Sequence, residues 1–91
     1  MTKFEWDPRK AQLNIRKHRV SFEEAATAIL DEFSKTASDP DHSISESRLV
    51  TFGLSARGRL LVVYYIERAD SIRIISARTV TRQEREIYEE Y

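Results

Sequence analysis

Ninety-one residues without a cysteine, carrying 15 Lys and Arg against 15 Asp and Glu, describe a formally neutral chain with room for one domain, residues 1–91, and a single thin core. The missing thiols exclude a disulfide framework, a thiolate metal site and a cysteine nucleophile together. A composition of 41% hydrophobic and 33% charged residues is that of a folded globule, and no apolar run approaches the length of a membrane span, so the chain is expected to be cytoplasmic.

In chain order, Lys3 to Trp6 is a short strand candidate that stops at Asp7-Pro8, a good helix N-cap followed by the residue best suited to the first helical position. A first helix then runs to about His18, with Ala11, Ile15 and His18 at inward spacing and Leu13 beside them. Ser21 and Glu24 form a capping box for a second helix, whose apolar stripe is Phe22, Ala25, Ala26, Ile29 and Leu30. From Ser34 to Ser47 the sequence is polar, with a brief strand at most around Lys35 to Ala37 and a turn at Asp39-Pro40-Asp41.

Arg48 to Leu54 and Arg59 to Glu67 read as a hairpin around a tight Ser55 to Gly58 turn, and Ser71 to Arg78 as a third strand. Thr81 with Glu84 opens a C-terminal helix. Strand, two helices, antiparallel meander and helix predict a two-layer α+β domain, an antiparallel sheet packed by two N-terminal helices and a C-terminal helix. Alternation in the third strand gives Arg73 and Arg78 opposite parity, so they should not share one regular sheet face; Arg78 could still reach a site at the sheet's edge, and at most one of the two need be catalytic.

Neutrality hides segregation. Arg9, Lys10, Arg16, Lys17 and Arg19 make one basic block, and Arg48, Arg57, Arg59, Arg68, Arg73, Arg78 and Arg82 dominate another, while Val20 to Ser47 and the C-terminal helix are acidic. Arginines outnumber lysines, and a planar guanidinium grips phosphate through paired hydrogen bonds. If the two basic blocks meet in space, they form one anion-binding face.

No phosphate loop, GxSxG elbow or HExxH motif is present. Asp39-Pro40-Asp41-His42 clusters possible metal ligands, but such a cluster is more often a solvated turn, and no cofactor is expected. RNA cleavage needs neither metal nor protein nucleophile, because the 2′-hydroxyl attacks the adjacent phosphate. The protein must then neutralise charge, accept the 2′ proton and protonate the leaving 5′ oxygen. Arg57, Arg59, Arg73, Arg78 and Arg82 suit the first task, and His18, Lys10, Lys17 or Glu84 the other two.

The strings Phe4-Glu5-Trp6-Asp7, Lys17-His18, Val20-Ser21-Phe22-Glu23-Glu24-Ala25 and Asp39-Pro40-Asp41-His42-Ser43 resemble the BrnT toxin family of bacterial type II toxin-antitoxin systems. So do Leu54-Ser55-Ala56-Arg57-Gly58-Arg59-Leu60-Leu61-Val62-Val63, Ile72-Arg73-Ile74-Ile75-Ser76-Ala77-Arg78 and Glu84-Arg85-Glu86-Ile87-Tyr88-Glu89. The resemblance covers essentially the whole chain in order. It implies a RelE-like fold and a metal-independent endoribonuclease that inhibits translation. It also implies a cognate BrnA-like antitoxin of ribbon-helix-helix type, a toxin-antitoxin heterotetramer, and autorepression at promoter DNA through the antitoxin.

Carried onto this sequence, the resemblance implies catalytic roles for Lys10, His18, Arg57, Arg59, Arg73, Arg78 and Arg82, with Lys17 and Arg19 binding RNA. Where the family usually has glycine after Lys-His, this chain has Arg19. A helix ending there in a left-handed conformation costs arginine about 1 kcal/mol. The alternative reading is a non-catalytic module that binds nucleic acid or antitoxin as a corepressor.

Overall fold

The computed structural model describes residues 2–39 and 47–90. The elements are β1 (Lys3–Glu5), α1 (Pro8–His18), α2 (Phe22–Ile29), β2 (Lys35–Ser38), β3 (Arg48–Leu54), β4 (Leu60–Glu67), β5 (Ser71–Thr79) and α3 (Arg82–Glu89). The strands make one sheet in the order β1-β5-β4-β3-β2. β2 to β5 pair antiparallel as the meander predicts. β1 lies parallel to the start of β5, with Phe4 opposite Ile72, so the sheet is mixed and not purely antiparallel. No hairpin joins these two strands, so nothing local sets their relative direction.

Local chemistry explains the helix ends. Asp7 accepts the Arg9 amide at 2.8 Å with Pro8 in the first turn of α1, and Ser21 accepts the Glu24 amide at 3.0 Å. The box at Ser21 is only half made, because the Glu24 side chain turns inward. At α3 both halves of the Thr81 and Glu84 box form. α1 stops at Arg19, which holds φ 60° and ψ 32° while its N–H donates to the Ile15 carbonyl at 2.9 Å. This is the left-handed cap expected of glycine, adopted here by arginine.

The core fills one face of the sheet. Val20, Phe22, Ala25 and Ala28 pack on Leu61, Val63, Tyr65, Ile74 and Ala77, and Trp6 meets Phe22 edge-on at 5.9 Å. Small residues let α2 approach closely: a Cβ at Gly53 would collide with the Ala28 carbonyl oxygen. α1 departs from expectation, for Ile15 and Leu13 are exposed and the buried residue of that helix is Asn14. Leu30 likewise falls outside the α2 stripe and is 65% exposed.

Asn14 sits beside β5 where β1 has already ended. Its amide nitrogen donates to the Ala77 carbonyl at 2.8 Å and its oxygen accepts the Ala77 N–H at 3.1 Å, the exchange a neighbouring strand would make. The same nitrogen donates to the Val20 carbonyl at 2.9 Å, closing the turn between α1 and α2. An Asn14→Leu chain fills the space but leaves these backbone groups unpartnered. We expect it to lose roughly 2–4 kcal/mol of stability, read as a lower urea midpoint.

Candidate active site

A register shift between Tyr64 and Tyr65 decides which residues share a face. Tyr65 opposes Ile74 while Tyr64 opposes Ser76, so Ile75 is an extra residue in β5. Ile74 and Ala77 both enter the core as a result. Arg73, opposite Ile66, and then Ser76 and Arg78, opposite Tyr64 and Val62, all project from the other face. The expectation that Arg73 and Arg78 lie on opposite faces is therefore corrected: simple alternation misses the bulge.

At the bulge, α1 and β5 border an open groove of about 260 Å³ lined by Lys10, Leu13, Asn14, Lys17, His18, Ile75 and Ser76. The spacing of Lys10, Asn14 and Lys17 puts them on one side of the helix, with His18 beside Lys17 in the last turn. Asn14 at the floor clamps this side to β5. Of the two basic blocks only the first lines this groove, through Lys10 and Lys17, while Arg73 of the second lies on the strand face that carries Ser76. Among the described residues, Lys10, Lys17, Arg19 and Arg73 form no ion pair, so their charge is available to an anion.

The other arginines divide by what holds them. Arg59 grips the buried Glu24 carboxylate with two nitrogens, Nε at 2.9 Å and Nη2 closer still, and Nη2 also donates to the Arg19 carbonyl at 2.9 Å. Ser55 donates its hydroxyl to Glu24 at 2.7 Å. The Arg59 hydrogen bonds chiefly, helped by Ser55, outweigh burial and hold the Glu24 pKa below its ordinary value. Arg57 completes the cluster at 3.6 Å from Glu24, with its own side chain 72% exposed.

Arg78 forms a fork with Glu84 of α3 at 2.7 and 2.9 Å and also interacts with Tyr64. The Glu84 bond, above all, raises the Arg78 pKa, and the same bond draws Glu84 down to about 2. Arg82 is exposed at the start of α3. The expected set therefore separates. Lys10, Lys17 and His18 line one groove; Arg73 shares the Ser76 face beside it; Arg59 and Arg78 hold structural carboxylates; Arg57 and Arg82 stand outside the groove lining.

Among the described residues no three His, Cys, Asp or Glu side chains gather as a metal cluster, and Pro40, Asp41 and His42 lie outside them. A larger cleft, about 320 Å³ at the turn between β4 and β5, is lined by Thr2, Glu67, Arg68, Ala69, Asp70, Ser71 and Ile72 and holds none of the expected residues. No described helix is long and apolar enough to cross a membrane.

The model of the family described as ribonuclease toxin, BrnT, of type II toxin-antitoxin system matches residues 6–84. The chain belongs to the BrnT family. The crystal structure of the Brucella abortus ribonuclease toxin BrnT superposes with a TM-score of 0.70 at 21% identity, covering 90% of this chain and 100% of that one, and so shares its fold. No curated protein matches in sequence. Among the described residues, the groove beside β5 brings together a helix, a strand edge and the ammonium groups of Lys10 and Lys17, which form no ion pair there.

Sequence reasoning missed Asn14, Ser76 and Glu24. Asn14 had a signal, since it falls on the inward stripe between Ala11 and His18. Ser76 had none, because its position depends on the bulge.

Two outcomes follow from the ion pairs. Arg59→Met leaves Glu24 buried with its main partner gone, so stability falls by roughly 2–4 kcal/mol in urea titration. Glu84, with its pKa lowered from 4.5, contributes stability above pH 4.5 that is lost as pH falls through about 2. Hydrogen exchange over that range should show α3 loosening in the parent, while Glu84→Gln is already loose at neutral pH.

Proposed function

We propose that this BrnT chain is a metal-independent endoribonuclease acting in the groove between α1 and β5. The observation that carries the reading is the convergence of Lys10, Lys17 and His18 on Ser76, with Arg73 on the same strand face. An RNA phosphate seated there meets two ammonium groups, and a guanidinium lies along its path. The 2′ oxygen attacks phosphorus, the bond from phosphorus to the 5′ oxygen breaks, and the products are a 2′,3′-cyclic phosphate and a free 5′-hydroxyl.

His18 serves as the proton-transfer group, since a neutral imidazole nitrogen accepts a proton and the imidazolium that results can donate one. Lys10 and Lys17 offset the charge that builds on the phosphorane oxygens, and Arg73 and Arg19 hold flanking backbone phosphates. Arg59 and Arg78 act as positioning residues: one fixes the end of α1 through the Arg19 carbonyl, the other fixes α3. Arg57 and Arg82 contribute RNA contacts at the periphery.

In the cell this activity would act in the cytoplasm and inhibit translation. A BrnA-like ribbon-helix-helix antitoxin would neutralise it in a heterotetramer that represses its own promoter DNA. The type II family membership supports a protein antitoxin.

Purified chain incubated with a synthetic RNA in EDTA should yield fragments whose mass carries the cyclic phosphate. His18→Ala is expected to slow cleavage about 10²- to 10⁴-fold with unchanged circular dichroism. Lys10→Ala with Lys17→Ala is expected to weaken RNA binding and flatten its salt dependence. Full cleavage by His18→Ala would remove the proposed proton-transfer role, and binding without cleavage by the parent would favour the corepressor reading.

A further inference from the structure

Large apolar side chains exposed among the described residues include Leu30 at 65%, Phe33 at 68%, and Leu54 and Ile87 at 45% each. These four come from three separate parts of the chain, and the Asp31 carboxylate ties those parts together. Asp31 accepts the Phe33 N–H at 3.1 Å and, through Oδ2, the Leu54 N–H at 2.8 Å and the Tyr88 hydroxyl at 2.6 Å. Leu30 precedes Asp31, Phe33 and Leu54 carry two of the held amides, and Ile87 precedes Tyr88. The knot is tight: burial pushes the Asp31 carboxyl up, yet the Leu54, Tyr88 and Phe33 donors together bring its pKa below the ordinary value.

The charge around this surface is acidic. Glu32 lies between Leu30 and Phe33, and Glu90 lies one helical turn beyond Ile87, both exposed; Arg85 is paired with Glu89 at 3.8 Å. Exposed apolar groups gathered in this way mark an interaction site, and their acidic rim repels phosphate, which disfavours RNA. A second copy is disfavoured for a related reason, because a two-fold contact would set this acidic surface against itself. The occupant must be protein that is apolar and basic. The surface also lies at the Leu54 end of β3, two strands across the sheet from β5 and its groove.

We propose that the Leu30, Phe33, Leu54 and Ile87 surface docks a basic segment of the antitoxin that anchors apolar side chains on it. This rests on the reading of the chain as an antitoxin-controlled toxin, but not on its ribonuclease activity. The docking segment fastens the antitoxin at β3, away from the groove beside β5.

The test titrates the antitoxin encoded beside this chain calorimetrically into the purified parent and into Leu30→Ser/Phe33→Ser, whose replaced groups are already exposed and whose fold is checked by circular dichroism. The Kd should rise roughly 30-fold or more, with RNA cleavage unchanged. Glu32→Lys/Glu90→Lys should weaken binding about 10-fold in low salt, and Leu13→Ser/Ile15→Ser, on α1, should leave it within about 3-fold. Unchanged affinity in the Leu30/Phe33 variant overturns the proposal, as does a loss that follows the α1 pair instead. It is equally overturned if that variant loses RNA binding in place of antitoxin binding. A parent dimer that Phe33→Ser dissociates with antitoxin affinity intact would assign the surface to a second copy. A parent that binds antitoxin here but leaves RNA whole would fail the ribonuclease reading alone.

Discussion

The exchange of hydrogen bonds between the Asn14 amide and the Ala77 backbone is the contact on which the candidate site depends. It substitutes a side chain for a strand at the stretch of β5 that β1 does not reach, so a helix can lie along a sheet edge without stranding buried peptide groups. Once α1 is fixed there, its pitch sets where Lys10, Lys17 and His18 emerge. The bulge at Ile75 supplies the other half. It allows Ile74 and Ala77 to enter the core together while Ser76 turns toward the groove. Helix and strand are brought into one site by an amide and an inserted residue.

Charge follows a division of labour that the neutral total conceals. Guanidinium groups, with planar forks suited to carboxylates, take the internal partners: Arg59 holds Glu24 and Arg78 holds Glu84. Ammonium groups at Lys10 and Lys17 are left open at the groove. The acidic blocks are thus not a separate region set against the basic ones. Glu24 and Glu84 are the internal counter-charges that let arginines pack, while Glu32 and Glu90 stay on the surface.

Much of the architecture was legible because its signals are local. Asp7-Pro8, Ser21 and Thr81 cap helices where their chemistry demands, Gly58 turns the hairpin at φ 79°, and the strands of the meander fall where apolar runs fall. The left-handed cap at Arg19 is legible only through the glycine usual at that position in the family the sequence resembles. What the sequence concealed is long-range. Asn14 and Ala77 are 63 residues apart, and Arg59 and Glu24 are 35 apart. Neither pairing leaves a local trace, and Ile74-Ile75-Ser76 gives no sign that one residue is extra. The basic residues were legible as a set, but not their arrangement. Lys10, Lys17 and His18 stayed together, whereas Arg59 and Arg78 proved to be committed to carboxylates.

The covering of β5 has a consequence for recognition. Along its outer side this strand presents its backbone first to β1 and then to the Asn14 amide, which takes both the N–H and the carbonyl of Ala77. A ligand arriving there cannot add itself to the sheet as another strand at Ala77 without displacing that amide. Selectivity at this edge therefore belongs to side chains and to the shape of the groove. The helix that blocks the main-chain route is the same one that supplies the ammonium groups and the imidazole.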